Sequence, residues 1–250
     1  SLSTSLNSIP EDSFRECLSL GSVTIPDSAT TIASNAFYGC ASLSSVSIPA
    51  SVSSISTDAF SGCGNLSDIS VASGNGAYAS SDGCLYNASK TRLLLVPEGK
   101  TSLAIAAGTT TIGAGALQNC TGISSVSLPN GVTTIEANAF SDSAVETITI
   151  PATVTSIASQ GSWKPSTIYG ASGSAAEQYA KNNGIVFVVQ GNTSDPDAPG
   201  NNGNGGNDNP GNNGGTIGDN GNAGNNGNAG GNGNGGTAGD NGNAGNNGNG

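Results

Sequence analysis

The sequence contains no histidine and no methionine, and charged residues make up only 9% of it. Without histidine, Ser-His-Asp and Cys-His catalytic arrangements are impossible and most catalytic zinc sites are excluded. Lysine-based or carboxylate-pair chemistry needs ionisable groups at a fixed spacing. Acidic residues such as Asp68, Asp82 and Glu136 are instead scattered along the chain. The sequence therefore predicts no catalytic site, no metal site and no cofactor.

Positive charge is also scarce. Six Lys and Arg stand against 17 Asp and Glu, which gives a net charge of −11. Such a chain is poorly suited to nucleic acid or to an anionic membrane. No stretch reaches the roughly 18–20 apolar residues of a membrane span. We therefore expect neither a nucleic-acid partner nor insertion into a membrane.

The chain does contain a repeat of 23 residues, whose clearest markers are Ile25-Pro26, Ile48-Pro49, Leu128-Pro129 and Ile150-Pro151. One unit reads Leu43-x-x-Val46-x-Ile48-Pro49-x-x-Val52-x-x-Ile55-x-x-x-Ala59-Phe60-x-x-Cys63. A unit of this length that begins L-x-x-L-x-L is the leucine-rich signature, and only stacked units can bury its apolar face. The sequence predicts a right-handed solenoid of short parallel strands and turns, with about 23 residues per coil.

The repeat is interrupted once and then ends in a different pattern. In residues 72–100, apolar runs at 84–86 and 93–96 surround a polar turn, which predicts a β-hairpin insertion. Ser174 and Glu177 form a capping box that starts a helix, and an apolar β-branched strand follows at 185–189. We therefore expect a solenoid domain over residues 1–190, with a helix-plus-strand C-terminal cap at 174–190.

Residues 191–250 consist mostly of Gly and Asn. Such a composition cannot offset the entropy of ordering, so it predicts a disordered linker. At the other end, Leu6, Ile9 and Phe14 match the second half of a repeat unit, and no signal peptide is visible at Ser1. We therefore expect further sequence upstream.

The repeat motif resembles the BspA-like leucine-rich repeat class of bacterial surface proteins. Residues 20–66 and 123–157 carry the resemblance most clearly, and the S-x-D-G-x-L-Y stretch at 80–86 also fits that class. The resemblance implies a secreted or surface-attached protein, with an adhesive role proposed for some members. It implies no single ligand and no shared catalytic residues.

Outward positions of the first strand in each unit form a column of mostly hydroxyl side chains, at Thr24, Ser47, Ser70, Ala104, Ser127 and Thr149. A second column contains Thr31, Ser54, Thr111, Thr134 and Ser156. Regular hydroxyls on a rigid sheet suit a glycan, an extended peptide or ice. They equally suit a surface whose Ser and Thr serve only solubility and strand formation.

The hairpin insertion holds Lys90, Arg92 and Lys100, half of the basic residues of this acidic chain. Insertions in repeat proteins often mark the binding face. An alternative is a hairpin that only plugs the core. The predicted binding residues are Ser47, Ser70, Ser127, Thr149, Lys90 and Arg92.

Cys17, Cys40 and Cys63 are spaced by the repeat length and therefore occupy one column, to which Cys120 and then Ser143 also belong. Metal binding would need clustered C-x-x-C spacing, which is absent. Two interpretations stay open, namely buried thiols that act as small hydrophobic residues and disulfides between adjacent coils.

Together these features predict a non-enzymatic, extracellular or cell-surface module for binding or adhesion. Its expected partner is a surface protein, a matrix protein or a glycan on a host or neighbouring cell. We expect a monomer within a larger chain. The alternative is a structural or targeting domain of a larger surface-attached enzyme.

Overall fold

A computed structural model describes residues 5–190, so the predicted linker at 191–250 lies outside the described residues. The described chain winds into a parallel-strand solenoid of about eight turns with about 22 residues per turn. The predicted repeat solenoid is confirmed.

Each regular coil contributes two short strands. In chain order the elements are β1 (Ser8–Ile9), β2 (Ser22–Thr24), β3 (Thr31–Ile32), β4 (Ser45–Ile48), β5 (Ser54–Ile55), β6 (Asp68–Val71), β7 (Tyr78–Ser81), β8 (Cys84–Asn87), β9 (Arg92–Leu95), β10 (Thr111–Ile112), β11 (Ser125–Ser127), β12 (Thr134–Ile135), β13 (Thr147–Ile150), β14 (Ser156–Ile157), β15 (Thr167–Gly170), α1 (Ala175–Asn183) and β16 (Val186–Val189).

The strands stack into four sheets. The first strands form an N-terminal first sheet, β2-β4-β6, and a C-terminal first sheet, β11-β13-β15-β16. The second strands form an N-terminal second sheet, β1-β3-β5, and a C-terminal second sheet, β14-β12-β10-β9-β8-β7. Equivalent residues of neighbouring coils are paired in parallel, as Val46 is with Ile69. The repeat spacing therefore sets the strand register.

Side chains alternate across these strands as the period of two predicts. In β4, Val46 and Ile48 are buried whereas Ser45 and Ser47 are exposed. On the remaining side of most coils a turn carries an aromatic ring toward the core, and Leu117 takes this position in the coil after the hairpin. The rings of Phe14 and Phe37 are 5.2 Å apart, and those of Phe37 and Phe60 are 5.4 Å apart.

The hairpin insertion lies between two parts of the core. Strands β7 and β8, and then β8 and β9, pair antiparallel, while β9 pairs in parallel with β10. Leu85 packs in the cluster of buried residues that precedes the hairpin, whereas Cys84 and Tyr86 pack in the cluster that follows it. Strand β8 therefore buries both of its faces.

The tip of the hairpin reaches the first sheets. The Gly83 carbonyl accepts a hydrogen bond from the Ile69 amide at 2.9 Å. The Asp82 carboxylate accepts one from the Ala104 amide at 2.8 Å, and the Tyr86 hydroxyl accepts one from Ala106. The prediction of a first strand around Ala104 is therefore wrong, because the hairpin takes the amides that would have joined the ladder.

The end of the solenoid carries the helix and strand that the sequence predicts. The Ser174 side chain accepts a hydrogen bond from the Glu177 amide, and Gly184 ends α1 in the left-handed conformation with φ 65°. Strand β16 then pairs in parallel with β15. Its Val186 and Val188 side chains are 61% and 40% exposed.

Candidate functional site

The predicted hydroxyl column is present but divided. Ser47 and Ser70 are exposed and paired in register on the N-terminal first sheet. Ser127 and Thr149 are paired in register on the C-terminal first sheet. The hairpin tip and the non-strand segment at Ala104 interrupt the ladder between the two pairs. The structure therefore groups these four residues as two separate surfaces.

The C-terminal pair lies in a concave part of the sheet surface, which we call the strand-face groove. Its volume is about 360 Å³, and it is lined by residues of β11, β13 and β15 together with Gln190. The lining residues are Ser125, Val126, Ser127, Thr147, Ile148, Thr149, Tyr169 and Gln190. Two of the predicted binding residues, Ser127 and Thr149, therefore line one groove.

Tyr169 adds an aromatic ring to this groove. It is paired in register with Thr149 on one side and with Val188 on the other, so its side chain belongs to the same outward column. The alternating pattern of β15 buries Ile168 and leaves Tyr169 half-buried at the surface. The groove therefore combines hydroxyl groups with one apolar ring that carries its own hydroxyl group.

The predicted basic residues lie on a different sheet. Lys90 is exposed in the turn between β8 and β9, where its φ of 56° places it in the left-handed region. Arg92 begins β9 and is paired with Thr111 of β10, in the C-terminal second sheet. Neither residue belongs to the outward column of the first strands.

The Arg92 side chain forms an ion pair with Glu136. Its guanidinium donates two hydrogen bonds to the Glu136 carboxylate, which also accepts from the Ala114 amide at 3.0 Å. These bonds to Arg92 lower the pKa of Glu136, so its carboxylate is ionised at neutral pH. Lys100 similarly contacts Asp82, with its Nζ 2.7 Å from the Asp82 carbonyl oxygen. Of the hairpin cations within residues 5–190, Lys90 alone forms no ion pair.

The cysteine column is a row of thiols. All five cysteines are free, and all except Cys17 are buried. The Cys40 thiol donates to the Phe14 carbonyl at 3.0 Å, and the Cys63 thiol donates to the Phe37 carbonyl at 3.1 Å. Burial raises the pKa of Cys63, Cys84 and Cys120 to about 12. These thiols are therefore protonated at neutral pH and serve packing rather than nucleophilic chemistry.

No cluster of three or more metal-ligating side chains occurs within residues 5–190. In the same range, no helix is long and apolar enough to cross a membrane.

The stacked parallel strands and the repeating apolar column define the chain as a leucine-rich repeat solenoid protein. The family described as BspA type leucine rich repeat region matches residues 1–99 and 98–161, in six copies. The chain therefore belongs to this family, whose members are generally modules for protein binding or adhesion. Such modules are typically non-enzymatic.

Solved structures include similar solenoids. A leucine-rich repeat protein from Eubacterium ventriosum is 29% identical, with a TM-score of 0.51, over 60% of this chain and 42% of that chain. A leucine rich cell surface protein from Faecalibacterium prausnitzii is 24% identical, with a TM-score of 0.42, over 80% of this chain and 61% of that one. The chain thus spans less than two thirds of the length of either protein. No curated protein matches it.

Proposed function

We propose that this protein is an extracellular adhesion module that binds a protein or glycan on a host or neighbouring cell surface. The observation that carries the proposal is the strand-face groove. It places Ser127 and Thr149 in register beside the Tyr169 ring, on a sheet whose strands are held by parallel ladders. Rigid repeat sheets are surfaces that solenoid proteins use for recognition.

The chemistry of the groove suits a partner with both polar and apolar groups. Hydroxyl groups both donate and accept hydrogen bonds, and neighbouring strands space them about 4.8 Å apart. The Tyr169 ring and the exposed Val188 beside it offer apolar contact. A sugar ring and a protein loop each present this combination, whereas an anionic polymer is disfavoured by the net charge of −11.

Lys90 stays a second candidate contact, because it is exposed and unpaired in the hairpin turn. Arg92 is a weaker candidate, since reversing its charge would place a carboxylate beside Glu136 and disturb the fold. Lys90→Glu is therefore the variant that tests the hairpin without breaking an ion pair.

The test is a screen of the full chain against arrays of glycans and immobilised matrix proteins, followed by variants. Ser127→Arg fills the groove, whereas Ser47→Arg alters the other predicted pair, which lies on the N-terminal first sheet and outside the groove. We expect Ser127→Arg to weaken binding to any ligand found by at least tenfold, and Ser47→Arg to leave it unchanged. Equal binding by both folded variants, or the absence of any ligand from both arrays, would refute the proposal.

A further inference from the structure

The ladder of the N-terminal second sheet ends abruptly at β5. In the preceding coil, the Ile32 carbonyl accepts from the Ser56 amide at 2.9 Å, and the Thr30 carbonyl accepts from the Ser53 amide at 2.9 Å. The equivalent acceptors one coil later are the carbonyls of Ile55 and Ser53. Among residues 5–190 no donor reaches either of them, because β9, the next second strand, pairs with β8 and β10 instead.

A side chain replaces part of the missing strand. The Ile55 amide would donate to a backbone carbonyl of the next coil, but it donates instead to the Tyr78 hydroxyl at 2.9 Å. Tyr78 begins β7 and is half-buried. At the edge of β5, the carbonyl groups of Ser53 and Ile55 therefore lack donors among residues 5–190, whereas the Ile55 amide is satisfied by the Tyr78 hydroxyl.

This edge faces a cavity of about 410 Å³, which we call the seam cleft. Its apolar walls include the half-buried side chains of Ile55, Tyr78, Leu94 and Leu95. A second hollow of about 290 Å³ shares Thr57, Leu94 and Leu95 with it, so the cleft continues past the end of β5. The combined space falls in the size range of ligand sites, and its lining runs from Ser53 to Ser61 along the chain.

We propose that the seam cleft binds an extended peptide segment of a partner protein, which adds to β5 as a new edge strand. The two open carbonyls lie two residues apart on one strand, the spacing at which an extended chain presents alternate amide donors. Its intervening side chain enters the cleft against Leu94 and Leu95. An apolar small molecule would fill the cavity but leave both carbonyls without donors. This site is distinct from the strand-face groove and lies on a different sheet.

The repeat itself supplies the probe. Residues 133–137 form the second strand of an intact coil, in which the Glu136 amide donates to the Ile112 carbonyl at 3.0 Å. A peptide with this sequence, acetyl-Thr-Thr-Ile-Glu-Ala-amide, should therefore present its Glu amide to the Ile55 carbonyl in the same register. The control peptide is identical except for a methyl group on that Glu nitrogen, which removes the donor.

The experiment titrates the ¹⁵N-labelled full chain with each peptide at up to millimolar concentrations and follows amide chemical shifts. We expect the probe to shift amides of residues 53–57 and 94–95 saturably. The methylated peptide should bind about 3- to 10-fold more weakly, as expected for the loss of one hydrogen bond. Saturable binding with equal affinity for both peptides would overturn the proposal, as would the absence of any shift.

Three variants locate the binding. Leu94→Arg places a charged side chain in the cleft and should abolish the shifts, whereas Ser45→Arg, at an exposed position of β4 on another sheet, should leave them unchanged. Tyr78→Phe releases the Ile55 amide and should strengthen binding of the probe. Thermal unfolding of each variant checks that it is folded. If folded Leu94→Arg protein binds the probe as the original chain does, the peptide lies elsewhere and the inference is wrong.

Discussion

Phe37→Ala should destabilise the protein more than the equivalent change at Phe60. Phe37 is fully buried, and its ring stacks on Phe14 at 5.2 Å and on Phe60 at 5.4 Å. Truncating a buried Phe to Ala costs about 3–5 kcal/mol, and an aromatic pair adds about 0.5–1.5 kcal/mol beyond burial. Phe37→Ala loses two such pairs, whereas Phe60→Ala loses the one with Phe37. We therefore expect a cost of about 5 kcal/mol for Phe37→Ala and about 1 kcal/mol less for Phe60→Ala.

Urea unfolding followed by circular dichroism measures both costs. Phe37→Leu is the matched control, because it keeps an apolar side chain in the column but removes the ring. Its cost should lie between zero and that of Phe37→Ala. Ser47→Ala, on the exposed face of β4, should change the free energy of unfolding by less than about 0.5 kcal/mol. A cost below about 1 kcal/mol for Phe37→Ala, or one no larger than that of Phe60→Ala, would refute the stacked-column reasoning.

Three further substitutions test the fold. Ser143→Cys should stabilise the protein by about 1 kcal/mol in urea unfolding. The substitution removes a buried hydroxyl that has no hydrogen-bond partner in the described part of the chain and places a thiol at this position of the cysteine column. An unchanged or lower stability would contradict this reasoning. Glu136→Gln should lower the unfolding midpoint at neutral pH. Because the pKa of Glu136 is lowered in the folded protein, the ionised carboxylate stabilises the fold above its ordinary pKa. This stabilisation is lost as pH falls through the folded-state pKa. The difference in unfolding midpoint between Glu136→Gln and the original chain should therefore vanish in strong acid. If Glu136→Gln still unfolds at a lower midpoint in strong acid, loss of the ion pair with Arg92 is not the cause. Gly83→Ala should cost about 1–3 kcal/mol, since Gly83 has φ 69° and its added Cβ would lie 3.0 Å from the Ser67 carbonyl oxygen. Amide exchange at Ile69 should then lose protection, and unchanged protection would mean that the hairpin tip is not held as described.

The repeat pattern predicts the inward residues of regular coils because stacking buries equivalent positions in each unit. Val46 and Ile48 therefore lie where their spacing places them. The hairpin was predicted as an element, and its position in the core was one of two alternatives, the other being a binding face. The available signal was the run Cys84, Leu85 and Tyr86, since a strand with apolar residues on both faces indicates burial on both sides.

A pattern of apolar residues does not predict which hydrogen bonds and ion pairs form. Leu103 and Ile105 pack against the core as the repeat predicts, yet the amide between them bonds to the Asp82 carboxylate and no strand forms. The ion pair of Arg92 with Glu136 joins residues 44 positions apart. Its detection requires the register across the insertion, which the sequence alone does not provide.

The candidate groove was predictable in part. Ser127 and Thr149 follow from the outward column, and they lie together because adjacent coils keep the register. Residue type alone does not decide whether Tyr169 belongs to the core or to the surface, because a Tyr side chain suits both positions. The alternation around Ile168 was the signal that placed it outward.

The hairpin also alters how stability is shared along the chain. In a regular solenoid each coil is coupled to the next by ladder hydrogen bonds and by side-chain packing, so unfolding spreads from neighbour to neighbour. Between β5 and β9 the ladder of the second strands is absent, and the link is made instead by packing around Leu85 and by the hydrogen bonds from Ile69 to Gly83 and from Ile55 to Tyr78. We therefore expect the two clusters of buried residues on either side of the hairpin to unfold as two cooperative blocks, joined by one junction of different chemistry. Substitutions at this junction will change the cooperativity of unfolding more than they change the intrinsic stability of either block.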